Sequence, residues 1–233
     1  MTARGLAHIS DVAYLSKDKV IAEMQRLGAT NVKFVHVGDS QGVVASTGDR
    51  IIVAFPGSDE KSDWRSDLNF ARKPKFGAEV HGGFVNAYED VWPEMEAEIK
   101  RLVAEKDRPI LFTGHSMGGA LASMAALDLK QQSIGTIHSV YTFGCPPIGN
   151  QAFATKYDRA VPTTYRVVNQ SDDVPAMEAP GYEHAGKHIW LNGEGADNNS
   201  GWFGRLWHRV GRPIGSGVED HRIANYEKSL KDL

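Results

Sequence analysis

Gly114-His115-Ser116-Met117-Gly118 sets one serine between glycines, with the apolar run Pro109 to Thr113 before it and the helical pattern of Met117 to Lys130 after it. A serine on a tight turn from strand to helix has its hydroxyl held in the open, and the glycines let neighbouring backbones approach. The chemistry this favours is nucleophilic attack on an acyl carbonyl. Backbone N–H groups at the start of a helix lack intrahelical acceptors, so the N–H of Met117 is a natural donor to a developing oxyanion. The hydroxyl becomes nucleophilic only when an imidazole takes its proton and an acceptor fixes that imidazole in one tautomer.

With a nucleophile on this kind of turn, the expected chain order is serine, acid, histidine. Histidines after Ser116 are His138, His184, His188, His208 and His221. His115 adjoins the serine, but its side chain is expected to point away and pack on the sheet. His138 opens a strand ahead of any suitable acid and reads as structural. A metal reading of His184 and His188 needs their four-residue spacing to lie on a helix, which Gly186 and the run Ile189-Trp190-Leu191 disfavour; no metal is expected. His221 sits in DHRIANY just before the final helix, where a loop can swing its ring over strand ends. For the acid, Asp172 and Asp173 are adjacent in NQSDDVP and cannot both face the histidine, and Asp220 is a weaker rival.

These residues must be held by a scaffold. A first helix is expected from near Ser10, as its cap, to near Gly28, with Val12, Leu15, Val20, Met24 and Leu27 as its apolar stripe. Three short strands follow, over Asn31 to Val37, Gly42 to Ser46 and Arg50 to Phe55, joined by turn-forming GDSQG and STGD. A helix is expected from Phe84 to Lys106, with Pro93 opening its own segment or kinking it. Strand Pro109 to Thr113, helix Met117 to Lys130, strand His138 to Phe143, a short helix from about Asn150 to Tyr157, strand Thr163 to Val168 and a last helix from about Glu219 to Leu230 complete the pattern. Such alternation implies an α/β fold, a mostly parallel central sheet with antiparallel N-terminal strands and helices on both faces.

Composition narrows the rest. A chain of 233 residues fits one α/β domain, taken as residues 1–233. Its 41% hydrophobic and 24% charged residues are ordinary for a globular chain, and no apolar run is long enough to span a bilayer. A net charge of -3 offers no general attraction for nucleic acid. Cys145 is the only cysteine, so no intramolecular disulfide forms. Met1 to Asp18 lacks a basic segment followed by an apolar stretch, so no Sec signal peptide is expected in this chain. That leaves the cytoplasm, a removed leader and another export route open. Oligomeric state is not legible.

The motifs GHSMGGALA (Gly114 to Ala122), IIVAFPGS (Ile51 to Ser58), DWRSDL (Asp63 to Leu68), HGGF (His81 to Phe84), YTFGCPPIGN (Tyr141 to Asn150), NQSDDVP (Asn169 to Pro175) and DHRIANY (Asp220 to Tyr226) together resemble the class 3 lipases, a branch of the α/β hydrolases. Pro56 and Pro147 depart from the pattern, standing where arginine is common in that family. The resemblance implies an α/β-hydrolase fold and a serine ester hydrolase with Ser116 as nucleophile, His221 as base and Asp172, three residues before the proline, as acid. It also implies the backbone N–H groups of Ser58 and Met117 as the oxyanion hole, His184 and His188 as structural residues on the strand after the acid loop, and no cofactor. His81, Gly82 and Gly83 read as structural. Expected substrates are acylglycerols or other lipid esters, with soluble or feruloyl-type esters and phospholipids as alternatives. A silent binding scaffold would have no need of all three of Ser116, Asp172 and His221.

Two segments bear on lipid contact. Asp59 to Ala71 resembles the family's lid and sets Trp64, Leu68 and Ala71 on one helical face, able to cover the pocket or to pack permanently. Gly201 to Arg212, GWFGRLWHRVGR, carries Trp202, Phe203, Leu206, Trp207 and Val210 at near-helical spacing beside Arg205, Arg209 and Arg212. It reads either as a helix packed on the core or as a basic amphipathic helix at a lipid–water interface.

Overall fold

The computed structural model describes residues 1–58, 71–169, 172–175, 180–191, 196–197 and 221–230. Their main sheet has eight strands: β1 (Asn31–Val37), β2 (Ser40–Ser46), β3 (Ile51–Phe55), β6 (Pro109–His115), β7 (Thr136–Phe143), β8 (Thr164–Asn169), β9 (Lys187–Leu191) and β10 (Ala196–Asp197), in that spatial order. The meander β1-β2-β3 is antiparallel, β3 through β9 are parallel neighbours, and β10 turns back on β9. This is the mixed sheet that the strand and helix alternation predicts. A separate hairpin of β4 (Arg72–Lys75) and β5 (Ala78–His81), absent from that prediction, reverses at Phe76 and Gly77, both at positive φ.

Alternate residues along the strands feed opposite faces, as the two-residue period of a strand requires. Ile51, Val53 and Phe55 of β3, with Ile110 and Phe112 of β6, pack under α3 (Gly82–Glu105), α4 (Met117–Gln131) and α5 (Gln151–Ala160). Ile52 and Ala54 face the other way, against α1 (Ala3–Val12) and α2 (Lys17–Arg26). On that same side Leu111, Phe143, Val167 and Leu191 meet α1 and the last described helix, α6 (Ile223–Ser229). Helices therefore cover both faces. Pro93 lies inside α3 on its exposed side, where water can satisfy the carbonyl that loses its partner.

The N-terminal helix differs from expectation. Instead of one helix from Ser10 to Gly28 there are two, broken between Ala13 and Ser16. Thr2 is the side-chain cap of α1, accepting from the Gly5 N–H at 3.2 Å. Ser10 is buried within α1, and its hydroxyl bonds the Leu6 carbonyl at 3.1 Å and the Thr113 hydroxyl at 2.7 Å. Val12, Val20 and Met24 are buried, but Leu15 and Leu27 of the predicted stripe are exposed. The break lets each short helix keep its own apolar face down and turns Tyr14 inward between them.

No helix among the described residues is long and apolar enough to cross a membrane.

Candidate active site

The parallel pairs align Phe55 with Gly114, His115 with Phe143 and Phe143 with Val167, so the chain leaves β3, β6, β7 and β8 along one edge. Such an edge, at the carboxyl ends of parallel strands, is where open α/β sheets place their ligands.

Ser116 stands in the turn between β6 and α4 with φ 56°, a left-handed conformation uncommon for a residue with a side chain. The turn is held by close backbone approach. The Ser116 N–H donates to the Phe143 carbonyl at 2.8 Å. A Cβ on Gly114 would lie 2.1 Å from the Gly118 carbonyl oxygen, and one on Gly118 would lie 2.2 Å from that of Phe55. The surroundings over-determine the turn and hold the strained serine with its side chain toward the strand ends.

His221, just ahead of α6, reaches Ser116 with Nε2 at 3.0 Å from Oγ. Its Nδ1 lies 2.8 Å from Oδ2 of Asp172. Since a carboxylate oxygen only accepts, Nδ1 carries the proton and Nε2 presents its lone pair to the serine hydroxyl. Asp172 is fully buried and held by two further donors: its Oδ1 accepts the Val174 N–H at 2.8 Å, and the Tyr226 hydroxyl donates to Oδ2 at 2.5 Å. Gly144, at the end of β7 with φ 62°, passes directly beneath this pair. A Cβ there would lie 2.8 Å from Asp172 Oδ2 and 2.9 Å from His221 Nδ1.

The loop after β3 meets Ser116 from the other side. A Cβ on Gly57 would lie 2.8 Å from Cβ of Ser116, and the Ser58 hydroxyl contacts Met117 Sδ at 3.7 Å. Ser58 and Met117 thus flank Ser116, where their backbone N–H groups can converge on a carbonyl oxygen at the serine.

Ser116, Asp172, His221, Ser58 and Met117 are therefore brought together. Asp173 is exposed, and Asp220 lies outside the described residues. His138 is exposed near the opposite end of β7. His184 donates from Nε2 to the Pro175 carbonyl at 2.7 Å, tying down the acid loop; burial and then the nearby charge of Arg166 push its imidazole down to about 3. His188 lies within β9, opposite Arg166. His81 is buried against Phe84 and Tyr182, with its imidazole pushed down by burial. Cys145 packs beneath Gly119, and burial pushes its thiol up to about 12, far from a thiolate nucleophile. Trp64 and Leu68, with the lid segment up to residue 70, and all of residues 201–212 lie outside the described residues.

Three contributors are not predicted from the sequence. Tyr226 has a visible signal, its place in DHRIANY five residues after His221. Gly144 has another, a glycine where strand YTF ends. Tyr14 has none, because only the break between α1 and α2 delivers it. Its hydroxyl lies 2.7 Å from His115 Nδ1, and His115 Nε2 lies 2.6 Å from the His221 carbonyl. His115 thus bridges two segments, where packing alone is predicted.

Known proteins resemble this chain in sequence and in fold. The model of the family described as "Lipase (class 3)" matches residues 52–181, more than half of the chain, a stretch that holds Ser58, Ser116, Met117 and Asp172. A secreted mono- and diacylglycerol lipase of Fusarium solani is 30% identical over 211 residues, covering 82% of this chain and 63% of that protein. The chain spans less than two thirds of the length of the curated relatives it matches first. Among solved structures, the triacylglyceride lipase of Rhizomucor miehei superposes with a TM-score of 0.71 at 28% identity, covering 82% of this chain and 79% of that one. A triacylglycerol lipase whose catalytic centre is a serine protease triad does so with a TM-score of 0.69 at 27% identity, over 81% and 78%. The sheet with its flanking helices is an α/β-hydrolase fold, and the chain belongs to the class 3 lipase family.

Proposed function

We propose that the protein is a serine ester hydrolase that cleaves acylglycerols or other lipid esters through an acyl-enzyme on Ser116. One observation carries the reading: the line from Asp172 through His221 to Ser116, with hydrogen-bond distances of 2.8 and 3.0 Å, ends on a serine held out by a strained turn. The names borne by the relatives, mono- and diacylglycerol lipase and triacylglyceride lipase, support lipid esters as the substrate class.

In the reaction Ser116 Oγ attacks the ester carbonyl carbon as its proton passes to His221 Nε2. The N–H groups of Ser58 and Met117 bind the oxyanion, a contribution typically worth about 10²–10³ in rate for one such donor. Asp172 stabilises the imidazolium, which then protonates the leaving alkoxide and releases an alcohol. Water enters, gives a proton to His221 and attacks the acyl carbonyl. The second tetrahedral intermediate collapses to the free acid and regenerates Ser116. His221 takes part in every proton transfer.

The test is a panel of p-nitrophenyl esters, triacylglycerols, diacylglycerols and phospholipids, assayed below and above the concentration at which an interface forms, with wild type and Ser116→Ala. Hydrolysis of acylglycerols that falls by about 10³-fold or more in the variant is expected. Equal hydrolysis by the two proteins would refute the assignment of the nucleophile. Turnover confined to soluble esters would refute the lipid substrate class.

A further inference from the structure

His115 uses both ring nitrogens, and each bond goes to a remote part of the chain. Nε2 faces the carbonyl oxygen of His221 at 2.6 Å, and Nδ1 faces the Tyr14 hydroxyl at 2.7 Å. A carbonyl only accepts, so Nε2 carries the ring proton, Nδ1 offers its lone pair, and the tyrosine donates. The chain runs in one direction, from Tyr14 O–H to His115 Nδ1, and from His115 Nε2–H to the His221 carbonyl. His115 is buried, and burial, reinforced by the adjacent imidazole of His221, pushes it down to about 3, so the ring stays neutral and keeps this tautomer around neutral pH.

The other end of the chain is also anchored. Tyr14 leaves α1 by the turn in which its N–H bonds the Asp11 carbonyl at 3.0 Å. Helix α1 is pinned to β6 two residues before His115, where Thr113 bonds the Ser10 hydroxyl at 2.7 Å and the Leu6 carbonyl at 3.0 Å. The Tyr14 hydroxyl also abuts the loop after β3, since a Cβ on Gly57 would lie 2.5 Å from it. One phenol therefore sits where the N-terminal helix pair, the oxyanion loop and the segment bearing His221 meet. Packing alone would not need this arrangement, because an apolar ring at position 115 would fill the space without using either polar atom.

We propose that Tyr14 and His115 are positioning residues: their hydrogen-bond chain fixes the main chain of His221 and so holds its imidazole in line with Ser116. This inference rests on His221 being the base. The imidazole is joined to its Cα by two rotatable bonds, and Asp172 fixes only the ring. A main chain left free to move would let Nε2 drift from Oγ, and displacements near 1 Å cost roughly 10²-fold in rate.

The experiment measures kcat and KM on a short-chain p-nitrophenyl ester for wild type, Tyr14→Phe, His115→Leu, His115→Gln and the Tyr14→Phe/His115→Leu pair, each checked for folding by circular dichroism. Tyr14→Phe is expected to lower kcat by roughly three- to tenfold, the range of one neutral hydrogen bond, with KM within about twofold of wild type. His115→Gln keeps an N–H where Nε2 stood, so it is expected to retain more of kcat than His115→Leu. In the His115→Leu background, Tyr14→Phe is expected to have no further effect, because the chain is already cut. Unchanged kcat in Tyr14→Phe would overturn the proposal, as would a loss undiminished in the His115→Leu background. If His115→Leu does not fold, kcat of Tyr14→Phe decides alone. A wild type without ester hydrolysis would instead sink the assignment of the base on which the inference stands.

Discussion

The two halves of the site are built differently. The nucleophile turn is assembled from consecutive residues, Gly114 to Gly119, packed on the neighbouring strand ends. Asp172 and His221, the proposed acid and base, sit on separate segments, 49 residues apart, with His221 105 residues from the serine. Ser116 is positioned by backbone contact that only glycines permit. His221 and Asp172 are instead held by side chains from distant segments: Tyr226 on the acid, His184 on the acid loop and His115 on the base. The proposed nucleophile is thus a local structure and its partners a tertiary one, and substitutions should affect the two halves differently.

The sharpest contrast is between the adjacent aspartates. Asp172→Asn keeps the shape of the side chain but removes the charge that stabilises the imidazolium, and kcat is expected to fall by about 10³–10⁴-fold. Asp173→Asn, at an exposed position, is expected to change kcat by less than about twofold. Comparable losses in the two variants, read from kcat on one soluble ester, would break the assignment of the acid.

Gly144→Ala tests the junction between the halves. Its methyl group would enter the space of the Asp172 and His221 hydrogen bond and would sit at a positive φ. An activity loss of roughly 10- to 100-fold is expected, with labelling of Ser116 by a small fluorophosphonate slowed in proportion. Wild-type rates would show that the base tolerates displacement.

Acid should weaken the fold through His115, which bridges the two halves only as a neutral ring. The unfolded chain protonates His115 near 6.5, whereas the native chain refuses the proton until about 3. Between those values the unfolded state binds more protons, so stability falls as the pH is lowered. The cost at pH 5 is roughly 2 kcal/mol for a group held so firmly neutral. The unfolding midpoint is expected to drop between pH 7 and pH 5, and His115→Gln should remove part of that drop.

The smallest effect concerns the clamp on α6. His8 lies 3.0 Å from Glu23 and 3.2 Å from Glu227, with Arg26 and Arg4 beside those carboxylates. Burial disfavours its charged form, but the hydrogen bonds that its ring donates to Glu23 and Glu227 outweigh that and raise its pKa. A raised value means stability that is complete below the unfolded value and lost as pH rises through the folded one. The stability gap between wild type and His8→Gln is therefore expected to be slightly larger at pH 5.5 than at pH 8.5, since exposed pairs contribute little. A gap independent of pH would exclude the clamp.

The same division governs what the sequence discloses. The turn around Ser116 is legible because its requirements, small residues between a strand and a helix, are met by contiguous positions. The α/β alternation is legible for the same reason, as each strand and helix carries its own period. Asp172 and His221 are reached through motifs rather than periodicity, since a loop residue has no pattern of its own. Tyr14 is hidden because a helical period runs through it: Val12, Leu15, Val20 and Met24 read as one helix, while the chain folds into two. The hairpin of β4 and β5 is hidden because RKPK and AEVH carry little apolar character and meet through a two-residue turn opened by Phe76 at positive φ, a residue type that seldom marks such a turn.

The central claim is that Ser116 is made nucleophilic by His221 and Asp172. The most direct measurement is labelling with a fluorophosphonate probe at neutral pH, followed by mass-spectrometric location of the adduct in wild type, Ser116→Ala and His221→Ala. A single adduct on Ser116, absent from Ser116→Ala and formed at least 10²-fold more slowly in folded His221→Ala, is the expected result. An adduct on another residue, or equal labelling rates in wild type and His221→Ala, would contradict it.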